Sequence, residues 1–216
     1  VGAYSGDTLY WGSQSNHVDE MLNVTKAPTT VTTLLSNSSI TIGDTVTDTI
    51  TINTTATGTL PPAGGQWTVY ASKDPNVLID LETVDSGTVS GNLPQIYTTD
   101  PWEPPTVGTW YFKAVYNGDP NYLGSTSNPA LEVLVVNKAY TNTTTQLSEE
   151  TITLGQTVTD TITIKTNATG TPPPATGTWT VYFYSASMTV LDSDTGWVSG
   201  SLQGPGFVVV TKAFTP

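Results

Sequence analysis

The 216-residue sequence predicts an all-β protein made of tandem antiparallel β-sandwich modules of about 110 residues, cut out of phase. Three observations predict this fold: a long internal repeat, stretches of period-two alternation, and clusters of turn residues between those stretches. No window of the sequence has a convincing helical period. Several short strands separated by frequent turns in each repeat are typical of a β-sandwich.

The strongest repeat joins residues 40–70 to residues 152–182. The two segments align at an offset of 112 without a gap, and 24 of 31 positions are identical. Further along, residues 84–93 match residues 193–202 at an offset of 109. A module of roughly 110 residues therefore occurs at least twice.

A second alignment places the N-terminus within the repeat. Residues 1–27 match residues 113–139 at the same offset of 112, with 13 of 27 positions identical. We therefore predict that residues 1–27 are the C-terminal strands of one module and that 28–138 is a complete module. Residues 139–216 are predicted to be the N-terminal part of a further module that lacks its last two strands.

Four stretches alternate with period two and are predicted strands. They are residues 45–52, 67–71, 110–116 and 131–136. Turn clusters rich in Gly, Pro, Asn and Asp lie between them, at 58–65, 90–94, 100–105 and 117–120. Five aromatic residues of the strand regions are expected in the core, namely Trp67, Trp179, Trp110, Tyr116 and Tyr4.

The end of the complete module resembles a known family. Residues 108–136 run from an aromatic strand through YNGDPNY (116–122) and a Ser-rich turn to a final strand, and YSGDTLY (4–10) repeats the motif. This pattern is similar to the prokaryotic immunoglobulin-like repeat found in tandem in bacterial and archaeal surface proteins. The resemblance implies immunoglobulin-like sandwiches, with Trp67 and Trp179 on the third strand. It also implies a role as a spacer, adhesin stalk, surface-layer part or filament subunit.

Composition excludes several classes of protein. The chain has six Lys, no Arg and a formal net charge of -12, so it lacks the clustered cations that nucleic acid requires. No apolar run reaches the ~18 residues of a transmembrane helix. The absence of Cys excludes disulfides and thiolate metal sites. A hydrophobic content of 37% is enough for packed cores.

Enzymatic chemistry is not expected. His17 is the only histidine, so neither a catalytic triad nor a multi-histidine metal site can be assembled around it. Paired carboxylates occur at Glu149/Glu150 and at Asp192/Asp194, and both pairs fall in turn-like segments. We interpret them as solvated loop residues, and we predict no catalytic residue, cofactor or metal.

Two kinds of aspartate leave more than one interpretation open. Asp48 and Asp160 share the strand phase of apolar neighbours, which indicates either a buried carboxylate or a strand end where this phase leaves the core. We favour the exposed strand end. Asp7 and Asp119, each after a Gly, could contribute to a calcium site, but a tight turn between two strands explains them more simply, and we favour the turn.

Modification sites are suggested by two patterns. Five Asn-x-Ser/Thr sequons mark candidate N-glycosylation sites and glycans as possible partners: Asn23, Asn37, Asn53, Asn142 and Asn167. An isopeptide cross-link needs Lys, Asn and a carboxylate that converge in the core. Asn137 and Lys138 supply two of these residue types, and spacing alone cannot establish the triad.

The function expected from these patterns is structural, in an extracellular filament, sheath or surface layer, with the chain's own copies as partners. The unfinished module 139–216 has two interpretations: the chain is a segment of a longer array, or residues 1–27 complete that module in a neighbouring subunit. A break inside the expected penultimate strand favours the array segment. The alternative function is an adhesin stalk or carbohydrate-binding module that does not polymerise, with Trp11, Trp102 and Trp197 as its exposed aromatic patch.

Overall fold

The computed structural model describes residues 1–19 and 21–216, so residue 20 of the predicted fragment 1–27 lies outside the described residues. The described residues form sixteen β-strands and two short 3₁₀ turns. The all-β prediction is confirmed, and the several sheets are consistent with a β-sandwich. Within the described ranges, no helix has the length and apolar character needed to cross a membrane.

The strands fall into three groups along the chain. The N-terminal hairpin consists of β1 (Ala3–Gly6) and β2 (Trp11–Gln14). The first sandwich consists of β3 (Thr29–Leu35), β4 (Ser39–Thr41), β5 (Asp48–Thr54), β6 (Gln66–Ser72), β7 (Glu82–Thr88), β8 (Gln95–Thr98), β9 (Gly108–Tyr116), β10 (Ser125–Thr126) and β11 (Val133–Asn137). The second unit consists of β12 (Thr141–Leu147), β13 (Asp160–Thr166), β14 (Ala175–Tyr184), β15 (Val190–Gly200) and β16 (Phe207–Val210). The 3₁₀ turns are His17–Asp19 and Pro129–Leu131.

Two sheets form the first sandwich. One has the strand order β3-β5-β8, and the other has the order β4-β11-β9-β6-β7 with β10 paired to the end of β9. All pairs are antiparallel except β4 with β11, which is parallel. The chain passes from one sheet to the other between Leu35 and Ser39, so the first two strands lie in different sheets.

Period-two alternation explains the core of the first sandwich. In β5, Ile50 and Ile52 are fully buried while Thr49 and Thr51 are half-buried. The buried isoleucines belong to the same cluster as residues of the opposite sheet, including Phe112 of β9. Each large aliphatic side chain buried in this way contributes about 1.5–3 kcal/mol, so packing alone can hold the two sheets together without a disulfide.

The second unit repeats part of this design. Its sheets have the strand orders β12-β13-β16 and β14-β15, with no further strand beside β14 in the described part of the chain. Its core cluster of buried residues is small and consists of Ile162, Val181 and Phe183. The Phe183 ring stacks on Phe214 at a centroid distance of 4.8 Å. The module boundaries predicted at 28–138 and 139–216 stay predictions.

The carboxylates that share the apolar strand phase are buried, which corrects the favoured interpretation. Asp48 is fully buried in the first sandwich, and Asp160 is buried at the equivalent position of the second unit. In both, the backbone amide donates to a threonine hydroxyl 2.9 Å away, Thr99 for Asp48 and Thr211 for Asp160. The strand phase therefore does not leave the core at this point.

Two further expectations are corrected by the structure. The predicted strand 131–136 begins at Val133, because Pro129–Leu131 forms a 3₁₀ turn capped by the Asn128 side chain, which accepts from the amide of Ala130 at 3.1 Å. Tyr4 was expected in the core, but its side chain is 48% exposed. It is exposed because β1 pairs only with β2 among the described strands.

Candidate functional site

The N-terminal hairpin is a copy of the hairpin at the end of the first sandwich. β1 and β2 pair Tyr4 with Ser13, and β9 and β10 pair Tyr116 with Ser125, the same register at an offset of 112. In the N-terminal turn, Asp7 Oδ1 accepts hydrogen bonds from the amides of Leu9 at 2.7 Å and Tyr10 at 2.9 Å. The N-terminal hairpin therefore has the same register as its counterpart, although no third described strand pairs with it.

The Gly-Asp turns are explained by hydrogen bonding. The amide of Leu9, followed by the Tyr4 hydroxyl and the Tyr10 amide, lowers the pKa of Asp7 below its ordinary value. Asp119 Oδ1 likewise accepts from the amides of Asn121 and Tyr122, both at 2.7 Å. In the described residues, no group of three or more His, Asp or Glu side chains is placed to hold a metal ion.

The two hairpins differ in what their tyrosine and aspartate contact. The Tyr116 hydroxyl donates to Gly64 O at 2.8 Å, and the Gly64 amide donates to Asp119 Oδ2 at 2.6 Å. These bonds fasten the hairpin to the loop before β6. In the N-terminal hairpin the same two groups bond each other, with Tyr4 OH donating to Asp7 Oδ2 at 3.0 Å.

Among the described residues, the N-terminal positions whose counterparts are buried are themselves exposed. Tyr10 is 68% exposed, while the equivalent Tyr122 is 1% exposed. Leu22 is 87% exposed, while the equivalent Leu134 of β11 is fully buried. The described part of residues 1–27 therefore exposes apolar side chains at positions whose counterparts in residues 113–139 are buried, whereas Trp110 and Phe112 of β9 have no counterpart in this segment.

In the second unit, one edge of β14 has no neighbouring strand among the described residues. In the first sandwich β6 pairs with β7 on one edge and with β9 on the other, where Trp67 lies opposite Tyr116. β14 is the equivalent of β6 and pairs with β15 alone among the described strands. The Trp179 side chain is half-buried, while the equivalent Trp67 is buried. An unpaired strand edge beside a partly covered core is a place where another strand can add.

A pair of carboxyl groups is buried inside the first sandwich. Asp48 of β5 and Glu132, which directly precedes β11, lie together between the sheets. Burial raises the pKa of Glu132 to about 9, and the charge of Asp48 adds to this rise. Burial also raises the pKa of Asp48, to about 6. At neutral pH the pair therefore holds one proton, which lowers the cost of burying two acids.

The first sandwich and the second unit meet at a joint built from two turns. The turn after β4 contributes Gly43 and Asp44, and the segment after β13 contributes Thr169, Gly170 and Thr171. The Thr171 amide donates to Gly43 O at 2.8 Å. The Thr169 hydroxyl donates to Asp44 Oδ1 at 3.1 Å. Beside these turns, a cavity of about 510 Å³ lies between residues of both groups, including Ile42, Lys138 and Pro173.

The five sequon asparagines all lie on the surface. Asn23, Asn37, Asn53, Asn142 and Asn167 are each exposed. Asn53 and Asn142 lie on β5 and β12, and the other three lie outside the strands. An exposed amide is a requirement for glycosylation, and all five candidates meet it.

The remaining candidates from the sequence do not come together in a reactive cluster. Asp192 forms an ion pair with Lys212 at 3.2 Å, and Asp194 Oδ2 accepts from the Lys212 amide at 2.7 Å. Both Asn137 and Lys138 are exposed, and Asn137 Nδ2 donates to Ser39 Oγ at 2.9 Å, so these two residues form no isopeptide triad in the core.

The other isolated candidates are also on the surface. His17 is exposed in its 3₁₀ turn, and Glu149 and Glu150 are exposed before β13. In the part of the chain that the structure describes, none of them belongs to a group of three or more His, Asp or Glu side chains that could hold a metal ion.

The three tryptophans proposed as an exposed aromatic patch differ in how far they are exposed to solvent. Trp11 is 97% exposed on β2, and Trp197 is 76% exposed on β15. Trp102 is half-buried because its ring packs edge-on against Trp110 at 5.3 Å and Phe112 at 5.4 Å. Trp102 therefore belongs to the first sandwich, and the expectation that it forms part of an exposed patch is corrected.

The molecule is thus an all-β protein whose several sheets are consistent with a β-sandwich. No protein-family model matches the sequence, and no curated protein matches it. Among solved structures it is similar to the Yersinia pseudotuberculosis adhesin InvE, with a TM-score of 0.37 and 16% identity over 86% of this chain and 51% of the adhesin chain. This chain therefore spans about half the length of that adhesin chain. It is also similar to Spo0M, a sporulation control protein from Bacillus subtilis, with a TM-score of 0.32 and 10% identity over 88% and 91% of the two chains.

Proposed function

We propose that this chain is a structural repeat protein of the cell surface that builds a filament, sheath or surface layer. In this proposal residues 1–27 of one copy complete the second unit of a neighbouring copy by strand complementation. The observation that carries the proposal is the match between a preformed hairpin with no third strand and a β14 edge with no counterpart of β9 in the described residues. The proposal includes no enzymatic activity and no cofactor.

The hydrogen bonds of the first sandwich supply a template for the docked hairpin. At an offset of 112, Thr176 corresponds to Gly64, and Pro173 corresponds to Pro61, whose carbonyl accepts from Tyr122 OH at 2.7 Å. In the docked state the Tyr4 hydroxyl would leave Asp7 and donate to Thr176 O. The Thr176 amide would then donate to Asp7 Oδ2. The Tyr10 hydroxyl would donate to Pro173 O.

Apolar burial supplies most of the affinity in this proposal. Leu22 and Val24 are 87% and 81% exposed, and their counterparts Leu134 and Val136 are 0% and 2% exposed. Burying side chains of this size contributes about 1.5–3 kcal/mol each. Because the donated segment and the accepting edge lie on different parts of the chain, the contact is heterologous and repeats from copy to copy.

The surface of the protein suits an extracellular polymer. The five exposed sequons are consistent with glycans on such a surface. The net charge of -12 opposes non-specific association between copies. A cell-surface location and glycan occupancy are parts of this proposal.

Deletion of residues 1–27 tests the proposal directly. The intact protein is expected to form elongated assemblies in electron micrographs and to sediment on ultracentrifugation. The deletion variant and Leu22→Ser are expected to remain monomeric, because both remove the donated apolar face. Leu78→Ser is the matched control, since Leu78 is also an exposed leucine, 68% accessible, but lies in the loop between β6 and β7.

The outcome that contradicts complementation is unchanged assembly after residues 1–27 are removed. The intact mass of the native polypeptide separates complementation between copies from modules joined in one chain. A mass near 22.8 kDa plus glycans supports complementation, and a several-fold larger mass supports a tandem array.

A second candidate function is binding of carbohydrate, favoured by exposed aromatic rings on the outward face of β14 and β15. Tyr182 and Tyr184 are 54% and 51% exposed, with ring centroids 6.2 Å apart, and Trp197 is 76% exposed. Aromatic faces of this kind can stack on sugar rings. Titration with soluble glycans should quench tryptophan fluorescence in the intact protein and fail to do so in Trp197→Ala. A protein that remains monomeric and binds glycans would favour this function over a polymer.

A further inference from the structure

The joint between the first sandwich and the second unit depends on glycine. A Cβ atom on Gly170 would overlap the carbonyl oxygen of Gly43, so a side chain at this position would separate the two turns. The bond from the Thr171 amide to Gly43 O requires this close approach. Asp44 supports the turn from within, since its Oδ2 accepts from the Thr41 amide at 3.2 Å while Oδ1 accepts from Thr169.

The repeat provides a second copy of each half of this joint. Gly155 and Gln156 correspond to Gly43 and Asp44, and residues 57–59 correspond to residues 169–171, all at an offset of 112. Both counterparts are exposed. A Cβ atom on Gly155 or on Gly58 would meet no other atom within 4 Å. The chain therefore uses one pair of these turns internally and leaves the equivalent pair open.

The open turn at Gly155 has the conformation of the occupied one. Gly155 has φ of 90° and Gly43 has φ of 95°. Gln156 takes over the supporting bond of Asp44, because its Oε1 accepts from the Thr153 amide at 2.7 Å. This bond leaves the Gln156 side-chain NH₂ group able to donate to a threonine hydroxyl.

Residues 57–59, the counterpart of residues 169–171, differ from the occupied joint in the backbone conformation of one glycine. Gly58 has φ of 102°, whereas Gly170 in the occupied joint lies outside the left-handed region. Glycine can change between these conformations without a side-chain clash. Residues 57–59 can therefore take the conformation of residues 169–171 when a partner turn approaches.

We propose that the Gly155 turn of one copy docks on residues 57–59 of the next copy and forms the same joint that links the two units within the chain. In this joint the Thr59 amide donates to Gly155 O, and Gln156 donates to the Thr57 hydroxyl. The inference rests on the proposed assembly, because the copy that donates the hairpin contributes residues 57–59 and the copy that accepts it contributes the Gly155 turn. The donor's hairpin precedes its first sandwich, just as β9–β11 precede the second unit.

The contact between the Gly155 turn and residues 57–59 determines how successive units are arranged in the assembly. The two turns lie on different groups of strands, so a head-to-tail contact between them is heterologous, and such a contact builds a ring or an open filament. Because the internal and external joints have equivalent residues, successive units along the polymer are related by one repeated arrangement. The donated hairpin supplies affinity, and the joint sets the direction in which the next sandwich points.

Cysteine cross-linking tests this joint without background, since the chain contains no cysteine. The assembled double variant T57C/Q156C is treated with a short bismaleimide and run on a denaturing gel. We expect a ladder at multiples of the 22.8 kDa chain. The single variants T57C and Q156C are expected to give no ladder. The matched pair D44C/T169C is expected to cross-link within one chain, because these side chains touch in the internal joint.

The outcomes distinguish the joint from the assembly. A ladder from the double variant T57C/Q156C, with none from either single variant, supports the joint. Filaments that contain T57C/Q156C and yield only monomer bands, while D44C/T169C cross-links internally, overturn the joint and leave strand complementation in place. Failure of the unmodified protein to form any assembly overturns both the proposed function and the joint.

Discussion

The first sandwich and the second unit have nearly the same sequence around their central tryptophans and bury them to different degrees. Residues 67–70 and 179–182 are identical, yet Trp67 is buried and Trp179 is half-buried. Both tryptophans lie opposite a glycine on the next strand, Gly87 or Gly196. Two differences around the ring accompany this change: Tyr97 stacks on Trp67 at 5.6 Å where the second unit has Val209, and β9 pairs beside β6 while β14 has no such neighbour in the described residues.

The first strand of the second unit, β12, is more polar than its counterpart β3 in the first sandwich. Val31 is buried in β3, and its counterpart in β12 is Thr143, which is exposed like the rest of that strand. Leu34 is replaced by Gln146. The second unit therefore carries a more polar outer strand where its core is thinner. Such a strand limits uncontrolled pairing at an edge.

The largest expected effect is the loss of the central tryptophan. Trp67→Ala should lower the free energy of unfolding by about 3–5 kcal/mol, the usual cost of removing a buried aromatic side chain. Trp179→Ala should cost less than half as much in the unassembled protein, because its ring is already partly in water. Denaturant unfolding followed by circular dichroism measures both variants. Equal losses in monomeric protein would contradict the contrast between the two groups.

The buried acids should make the stability of the first sandwich fall as pH rises. The folded pKa of Glu132, about 9, lies above the ordinary value near 4.3, so the folded state keeps a proton that the unfolded chain releases. The stabilisation is fully present below the ordinary pKa and is lost progressively as the pH rises through the folded pKa.

Glu132→Gln should remove the part of this dependence that comes from Glu132, because the amide needs no proton to be neutral. Its thermal unfolding curve between pH 5 and pH 9 should be flatter than that of the parent protein. Glu149→Gln, at an exposed glutamate of the second unit, is the matched control and should keep the parent's slope. Parallel pH profiles for Glu132→Gln and the parent protein would contradict the shared proton.

The smallest expected effect concerns the glycines opposite the tryptophans. A Cβ atom on Gly87 would come within 2.8 Å of the Trp67 ring, and one on Gly196 within 2.7 Å of the Trp179 ring. Gly87→Ala should cost about 1–3 kcal/mol through overpacking, since Trp67 is held on both sides. Gly196→Ala should cost less, because the half-buried Trp179 ring can move. Comparison of the two melting temperatures checks the difference, and a greater loss for Gly196→Ala would contradict it.

The strands could be predicted from the sequence where a strict alternation meets a buried face. The stretch 45–52 overlaps β5, and the stretches 67–71 and 110–116 lie within β6 and β9. They could be found because successive side chains of a strand point to opposite faces of the sheet, which produces the period of two. The last strand was misplaced at its start, since Pro129 and Asn128 form a capped turn that no alternation records. Local pattern thus located the strands better than their ends.

The buried acids and the joint could not be predicted from the sequence, because both depend on contacts far along the chain. Asp48 is buried beside Glu132, which lies 84 positions later and directly precedes a strand of the other sheet. Gly43 and Gly170 read as ordinary turn glycines until the fold places them against each other. The matching hairpins were visible in the repeat, but only the structure places Tyr4 and Tyr116 in such different surroundings.

The joint between the units has a consequence for how the protein can vary. Its closest contact uses the carbonyl of Gly43 and the amide of Thr171, both main-chain groups. Main-chain atoms are the same in every residue type, so the outward side chains of different modules can diverge while the junction stays compatible. In the proposed assembly, variants with altered surfaces, or with different sugars attached, would therefore be compatible in one mixed polymer.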